Sequence, residues 1–149
     1  MSTFINCLVH CVFGTKQREP MIDDEWQERL WAYMGGIARE QDIKALSVGG
    51  TNNHVHLLVS MPATMGIAKG VQMIKAGSSL WIHQQFDAAK RFAWQEGYSA
   101  FSVSHDRAET VKRYIENQRE HHRMKTFEEE YVAFLDQQGI EYKKEWVWN

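Results

Sequence analysis

Two cysteines, two prolines and no long apolar run are what this 149-residue chain has little of. Cys7 and Cys11 fall four residues apart in a stretch of strand-like composition, on one face and too far apart to bridge. A disulfide framework is therefore excluded, and the pair reads as reduced thiols of a cytosolic protein. No segment approaches the roughly 20 apolar residues that span a bilayer. The start, Met1-Ser2-Thr3-Phe4-Ile5-Asn6, has neither the basic opening nor the apolar centre of a signal peptide. A basic excess is missing too: the formal net charge is −2, which does not advertise a nucleic-acid binder. Of the 17 basic and 19 acidic residues, two and six lie beyond residue 127, leaving 15 and 13 before it. Phosphate contacts would have to come from a local patch, not from the total.

What is present is the material of one globular domain, 44% apolar and 24% charged. Residues 4–13 read as a first strand, and Thr15 to Pro20 as a loop. Asp23 or Asp24 caps a helix to about Glu40, with Trp26, Leu30, Tyr33 or Met34, and Ile37 at helical spacing. Residues 43–49 and 54–60 form two strands around the Gly/Asn-rich turn Gly49-Gly50-Thr51-Asn52-Asn53, a hairpin. Pro62 ends the second of these. A helix from about Gly66 to Gln85 follows, with Gly70, Gly77, Ser78 and Ser79 small enough to let something approach closely. Residues 92–103 read as a fourth strand, with Gly97 as the place for a bulge. Ser104 or Asp106 caps a helix through about His122, and Thr126 with Glu129 forms a capping box for a last helix to Gln137. The tail from Gly139 is aromatic enough to dock on the body. The order β-α-β-β-α-β predicts an α+β, ferredoxin-like split βαβ fold. Its four-stranded antiparallel sheet would carry helices on one face, plus C-terminal helices. The domain is taken as 1–149, with a core over 4–125 and a C-terminal helix and tail over 126–149.

Two short stretches carry chemistry. In Asn53-His54-Val55-His56-Leu57-Leu58-Val59, His54 and His56 are two apart on a strand, so both imidazoles face one way and can converge on one cation. In Tyr114-Ile115-Glu116-Asn117-Gln118, a phenol and an amide share one helix face. Tyr114 lies beside the apolar stripe through Val111 and Ile115, at the edge of a cleft. His121 and His122 are near enough to reach the same site, but are assigned to the helix end, where the dipole favours them. Lys16, Arg18, Lys69 and Lys75 are candidates for phosphate contacts. Trp94 and Tyr98 can stack bases, though core packing is the preferred reading. His83 and His105 are given no functional part.

The combination resembles the single-tyrosine HUH nucleases, the IS200/IS605-type transposases and their REP-associated relatives. The likeness runs over about residues 4–125. It rests on Thr15-Lys16-Gln17-Arg18, the His54–His56 strand, Trp94-Gln95-Glu96-Gly97-Tyr98, Phe101-Ser102-Val103-Ser104, and Val111 to Gln118. It implies that Tyr114 is the nucleophile and that His54, His56 and Gln118 hold a divalent cation, Mg²⁺ or Mn²⁺. It also implies a single-stranded, hairpin-containing DNA substrate, a 5′-phosphotyrosine intermediate with a free 3′-hydroxyl, strand transfer, and a homodimer. Such a protein works in the prokaryotic cytoplasm, at the nucleoid when bound to DNA. The competing expectation is a non-catalytic, domesticated binder of DNA hairpins on the same fold.

Overall fold

In a computed structural model that describes residues 1–148, four strands form one antiparallel sheet. They are β1 (Leu8–Gly14), β2 (Lys44–Gly50), β3 (His54–Ser60) and β4 (Ser99–Val103), in the order β2-β3-β1-β4. Helix α1 (Gln27–Glu40) connects β1 to β2, and α2 (Ile67–Gln85) connects β3 to β4. Each crossover skips over one antiparallel neighbour, the split βαβ arrangement that the element order demands. After β4 come α3 (Ala108–Glu116), α4 (Gln118–His121), α5 (Phe127–Gln137) and α6 (Lys144–Val147). Among the described residues no helix is long and apolar enough to cross a membrane.

Both faces of the sheet are covered. Alternation along the strands sends Val9, Cys11 and Phe13, with Val55, Leu57 and Val59, into a core closed by α1 and α2. Small residues on α2 admit close neighbours: Ser78 Oγ accepts the indole N–H of Trp94 at 3.0 Å, which fixes Trp94 as a core residue. The opposite face presents His10, Val12, His54, His56 and Leu58. Val12 and Phe101 pack there against Phe127, Tyr131 and Leu135 of α5. All seven residues of β1 are buried, which one layer of helices could not achieve. The C-terminal helices are thus a third layer. Trp148 extends it, lying over Phe127 and Tyr131.

Several boundaries differ from the sequence expectation. Helix α1 starts at Gln27 behind Trp26 and α3 at Ala108 behind Arg107, so neither Asp23 or Asp24 nor Ser104 or Asp106 caps its helix. The first strand begins at Leu8 rather than residue 4, because its partners run out there: Leu8 pairs with Ser60 and with Val103. Phe4 and Ile5 are left exposed, as is Cys7, while Cys11 is buried; both thiols are free. The fourth strand is only Ser99–Val103. Upstream, Trp94 makes a separate bridge to Thr15, and Gly97 turns the chain at φ +70°, a conformation that favours glycine. The predicted helix through His122 is broken at Asn117 (φ −103°, ψ 23°) into α3 and α4. The last helix starts as expected, with the Thr126–Glu129 capping box formed.

Candidate functional site

The β2–β3 hairpin aims the two histidines. Gly49 lies opposite His56 in the strand register, on the face that carries α3. A Cβ at that position would stand 2.6 Å from the carbonyl oxygen of Ile115, so glycine is what lets α3 lie directly on the sheet. Ile115 is buried at that contact, and it sets Tyr114 beside the histidine pair: the His56 and Tyr114 rings are 5.7 Å apart, edge to face. Past the break at Asn117, Gln118 turns inward and is buried. Its Nε2 donates to the Tyr114 carbonyl at 3.3 Å, which leaves Oε1 facing His54 Nε2 at 2.9 Å. The structure therefore brings His54, His56, Tyr114 and Gln118 of one chain together.

A carboxylate sits in their midst. Glu130 of α5, 2% exposed, places Oε1 at 2.9 Å from His56 Nε2 and 3.5 Å from His54 Nε2. Its Oε2 accepts the Tyr114 hydroxyl and lies 3.3 Å from His121 Nε2 and 3.2 Å from His122 Nε2. His121 Nε2 is also 3.2 Å from the Tyr114 hydroxyl. His121 and His122 do more than end a helix, because the break at Asn117 and the turn into α5 fold them back over the sheet. The buried His122 Nε2 lies outside hydrogen-bonding geometry to Glu130 and has no other bonded partner among the described residues. Behind His56, its Nδ1 meets Nε2 of the buried His10 at 2.8 Å. Phe127 stacks on His54 at 4.1 Å between ring centres.

The protons around His54 can be assigned. Its Nδ1 lies 2.9 Å from Asn53 Oδ1, which can only accept, and 3.0 Å from Thr51 Oγ1, so Nδ1 is the donor. Burial first, then the neighbouring His56, lower the pKa of His54 to about 3, and the ring is neutral. Its Nε2 faces Gln118 Oε1 at 2.9 Å and Glu130 Oε1 at 3.5 Å. Burial and His56 likewise bring His10 down to about 3. Burial works against the Glu130 carboxylate, but the close His122 and His56 rings and the Tyr114 hydroxyl outweigh it, holding Glu130 well below the usual carboxylate range. Burial, then the Glu130 charge, push the Tyr114 phenol above its ordinary value.

An imidazole nitrogen, an amide oxygen and a carboxylate oxygen are atoms of the kind that hold a divalent cation. In an octahedral shell with bonds of about 2.1 Å, neighbouring donor atoms sit about 3.0 Å apart. The spacings of His54 to Gln118 and of His56 to Glu130, each 2.9 Å, match that edge. Among the described residues, ligand atoms of His54, His122 and Glu130 also all lie within 4.8 Å of one another. The residues present fit a divalent ion of this kind. The open side of the site is a cavity of about 390 Å³, bounded by Tyr114, His121 and Glu130 within and by Arg107, Thr110 and Lys125 at its rim.

The other sequence candidates lie away from this cluster. Lys16 and Lys69 are exposed. Arg18 pairs with Glu128 at 2.7 Å and lies over the Trp148 ring at 4.3 Å, so it fastens α5 and the tail to the loop after β1. Lys75 donates to the carbonyls of Gln95 and Gly97 at 2.6 and 2.8 Å and braces the bend before β4. Gln95 in turn caps β1, its Oε1 accepting Gly14 N–H at 2.6 Å. Glu130 and His10 escaped the sequence reading, although a signal existed for each. Glu130 is an acid on the apolar stripe Phe127, Tyr131, Phe134 and Leu135 of α5. His10 alternates with Leu8 and Val12 on a strand face.

The site is thus a His-x-His strand of a ferredoxin-like sheet beneath a tyrosine-bearing helix. The chain belongs to the IS200-like transposase family, whose model matches residues 3–118. It is 26% identical over 124 residues to the transposase for insertion sequence element IS200 of Salmonella typhimurium, covering 80% of this chain and 81% of that protein, and equally to its Salmonella typhi counterpart. In fold it is similar to a candidate transposase from Deinococcus radiodurans (TM-score 0.61, 22% identity, 79% of this chain and 95% of that one). It is also similar in fold to a REP-associated tyrosine transposase bound to a REP hairpin (TM-score 0.59, 13% identity, 82% and 72%).

Proposed function

We propose that this transposase is a metal-dependent single-stranded DNA strand transferase in which Tyr114 is the nucleophile and His54, His56 and Gln118 hold a divalent cation, Mg²⁺ or Mn²⁺. The observation that carries the reading is the convergence of these four side chains, from two segments some sixty residues apart. When bound, the cation offsets phosphate charge and aligns the phosphorus. Tyr114 Oη then forms a bond to phosphorus, the bond from phosphorus to the 3′-oxygen breaks, and that oxygen leaves as a hydroxyl while the phenol gives up its proton. The 5′-phosphotyrosine keeps the ester's energy, so a second 3′-hydroxyl can reverse the step on a new partner. The cavity beside Tyr114 gives a phosphodiester its way in, with Arg107 and Lys125 at the rim. Lys16 and Lys69 extend phosphate contact over the surface, while Arg18 and Lys75 shape the elements beside it. The substrate is a single strand with a hairpin, as the REP-bound relative's description and the family resemblance support. A homodimer follows from the same resemblance, and β2 and β4 are the outer strands of the sheet among the described residues. Such a protein acts in the cytoplasm, at the DNA.

The test is incubation with hairpin single strands and Mn²⁺, followed by a denaturing gel. The wild-type chain gives a covalent adduct, and Tyr114→Phe gives none while still shifting the DNA. Equal adduct from both proteins overturns the assignment of Tyr114. One observation favours the second reading, a binder without chemistry: His54 and His56 are wholly buried beneath α5. Hairpin binding by the wild type with no adduct under any divalent cation would establish it.

A further inference from the structure

Resting on that reading, we propose that Glu130 is a fourth protein ligand to the cation, and that the same carboxylate ties the Tyr114 hydroxyl to the metal centre. The division of its two oxygens is the main argument. Oε1 points to the histidine side, 2.9 Å from His56 Nε2 and 3.5 Å from His54 Nε2. Oε2 points to the nucleophile and accepts its hydroxyl. A carboxylate so placed bridges the atom that would hold the phosphate and the atom that would attack it.

The acceptor geometry gives the second argument. His54 Nε2 lies 2.9 Å from Gln118 Oε1 and 3.5 Å from Glu130 Oε1, so the Glu130 oxygen stands among the same ligand-type atoms as the histidine and the amide. Charge gives the third. Two imidazoles and an amide supply no negative charge to a divalent ion in a buried place, whereas a carboxylate does, and hard cations prefer oxygen ligands. Burial gives the fourth: a carboxylate on the apolar stripe of α5 is costly to desolvate unless it is paired or coordinates a metal. The rival account makes Glu130 only a structural partner of His56 and His122.

Mn²⁺ binding to the full chain, read by electron paramagnetic resonance of the free ion, separates these accounts. The comparison takes wild type, Glu130→Gln, Glu130→Ala and His54→Ala, each first shown to be folded by circular dichroism. Loss of outer-shell partners lowers affinity by about 10–100-fold. Loss of a direct ligand predicts at least the upper end for Glu130→Ala and His54→Ala, and a drop of about 10-fold or more for Glu130→Gln, which preserves shape but removes the charge and one accepting oxygen. Water-proton relaxation should also show one more water on Mn²⁺ bound to Glu130→Ala than on the wild type, a change that a structural partner would not produce. If both Glu130 variants bind Mn²⁺ within about threefold of wild type while His54→Ala loses it, Glu130 is not a ligand and the three-residue site stands. If His54→Ala binds as well as wild type, the cation site itself is wrong, and the proposal falls with it.

Discussion

Replacing Gly49 by alanine reaches the site without touching any group in it. The new Cβ would stand 2.6 Å from the Ile115 carbonyl oxygen and 3.1 Å from its Cγ2. Ordinary contact begins at 3.4 Å, so α3 must withdraw by about 0.8 Å or the hairpin must bend by as much. Overpacking of this kind costs about 1–3 kcal/mol, or roughly 2–10 °C in melting temperature for a chain of this size. The effect on chemistry should be larger. Tyr114 is next to Ile115 and Gln118 is three residues on, and a functional constellation tolerates about 0.5 Å of displacement. A misplacement near 1 Å costs on the order of 100-fold in rate. Gly49→Ala should therefore lose about two orders of magnitude in adduct formation while remaining folded, with a weakened response to Mn²⁺. The assays are a thermal melt and a timed denaturing gel on one preparation. Wild-type adduct rates from a protein carrying this substitution would refute the claim that α3 is seated through that one glycine.

Phe127→Ala removes the ring stacked on His54 and opens the layer beneath α5; a loss of about 3–5 kcal/mol is expected from urea unfolding. Without a cation, the protein should weaken in acid. The unfolded imidazoles of His10 and His54 take up protons below 6.5 and the folded ones only near 3, so the unfolded state binds more protons in between. Stability then falls as pH drops through that window, by up to about 1.4 kcal/mol per pH unit for each group. Glu130, whose folded pKa lies below its unfolded 4.5, adds to the loss below that pH. Urea midpoints in chelator that stay level from about pH 7 to 5 would contradict this. Lys16→Ala and Lys69→Ala should each weaken hairpin binding across sequences and reduce the salt slope by about one, whereas Lys75→Ala should leave the slope alone and lower the melting temperature.

The chain announces its elements better than their ends. The His54/His56 alternation and the Thr126 capping box could be read directly, because both are local rules of period and hydrogen bonding. The first strand was expected from residue 4 because composition shows which residues favour a strand, not where β3 and β4 stop offering partners. The break at Asn117 left no mark, since nothing in Tyr114 to Gln118 forbids a continuous helix; the inward turn of Gln118 comes from tertiary contacts. Glu130 was concealed within Glu128-Glu129-Glu130, where it looks like one more solvated acid and first-turn dipole partner. Its place on the stripe of Phe127 and Tyr131 becomes meaningful only once α5 is known to cover the sheet. His10 needed the same knowledge, because a strand buried on both faces has no solvent side for an imidazole.

The third layer has a thermodynamic corollary. The cluster draws on residue 54 in a hairpin, residues 114 and 118 on either side of a helix break, and residue 130 on a helix that follows the last strand in sequence. No partly folded form that lacks α5 contains it. An ion that engages the whole set discriminates between the finished molecule and every looser one, and at a hundred times its dissociation constant it should deepen the native well by about 2.7 kcal/mol. A melting curve recorded against metal concentration would then measure how completely the chain has closed.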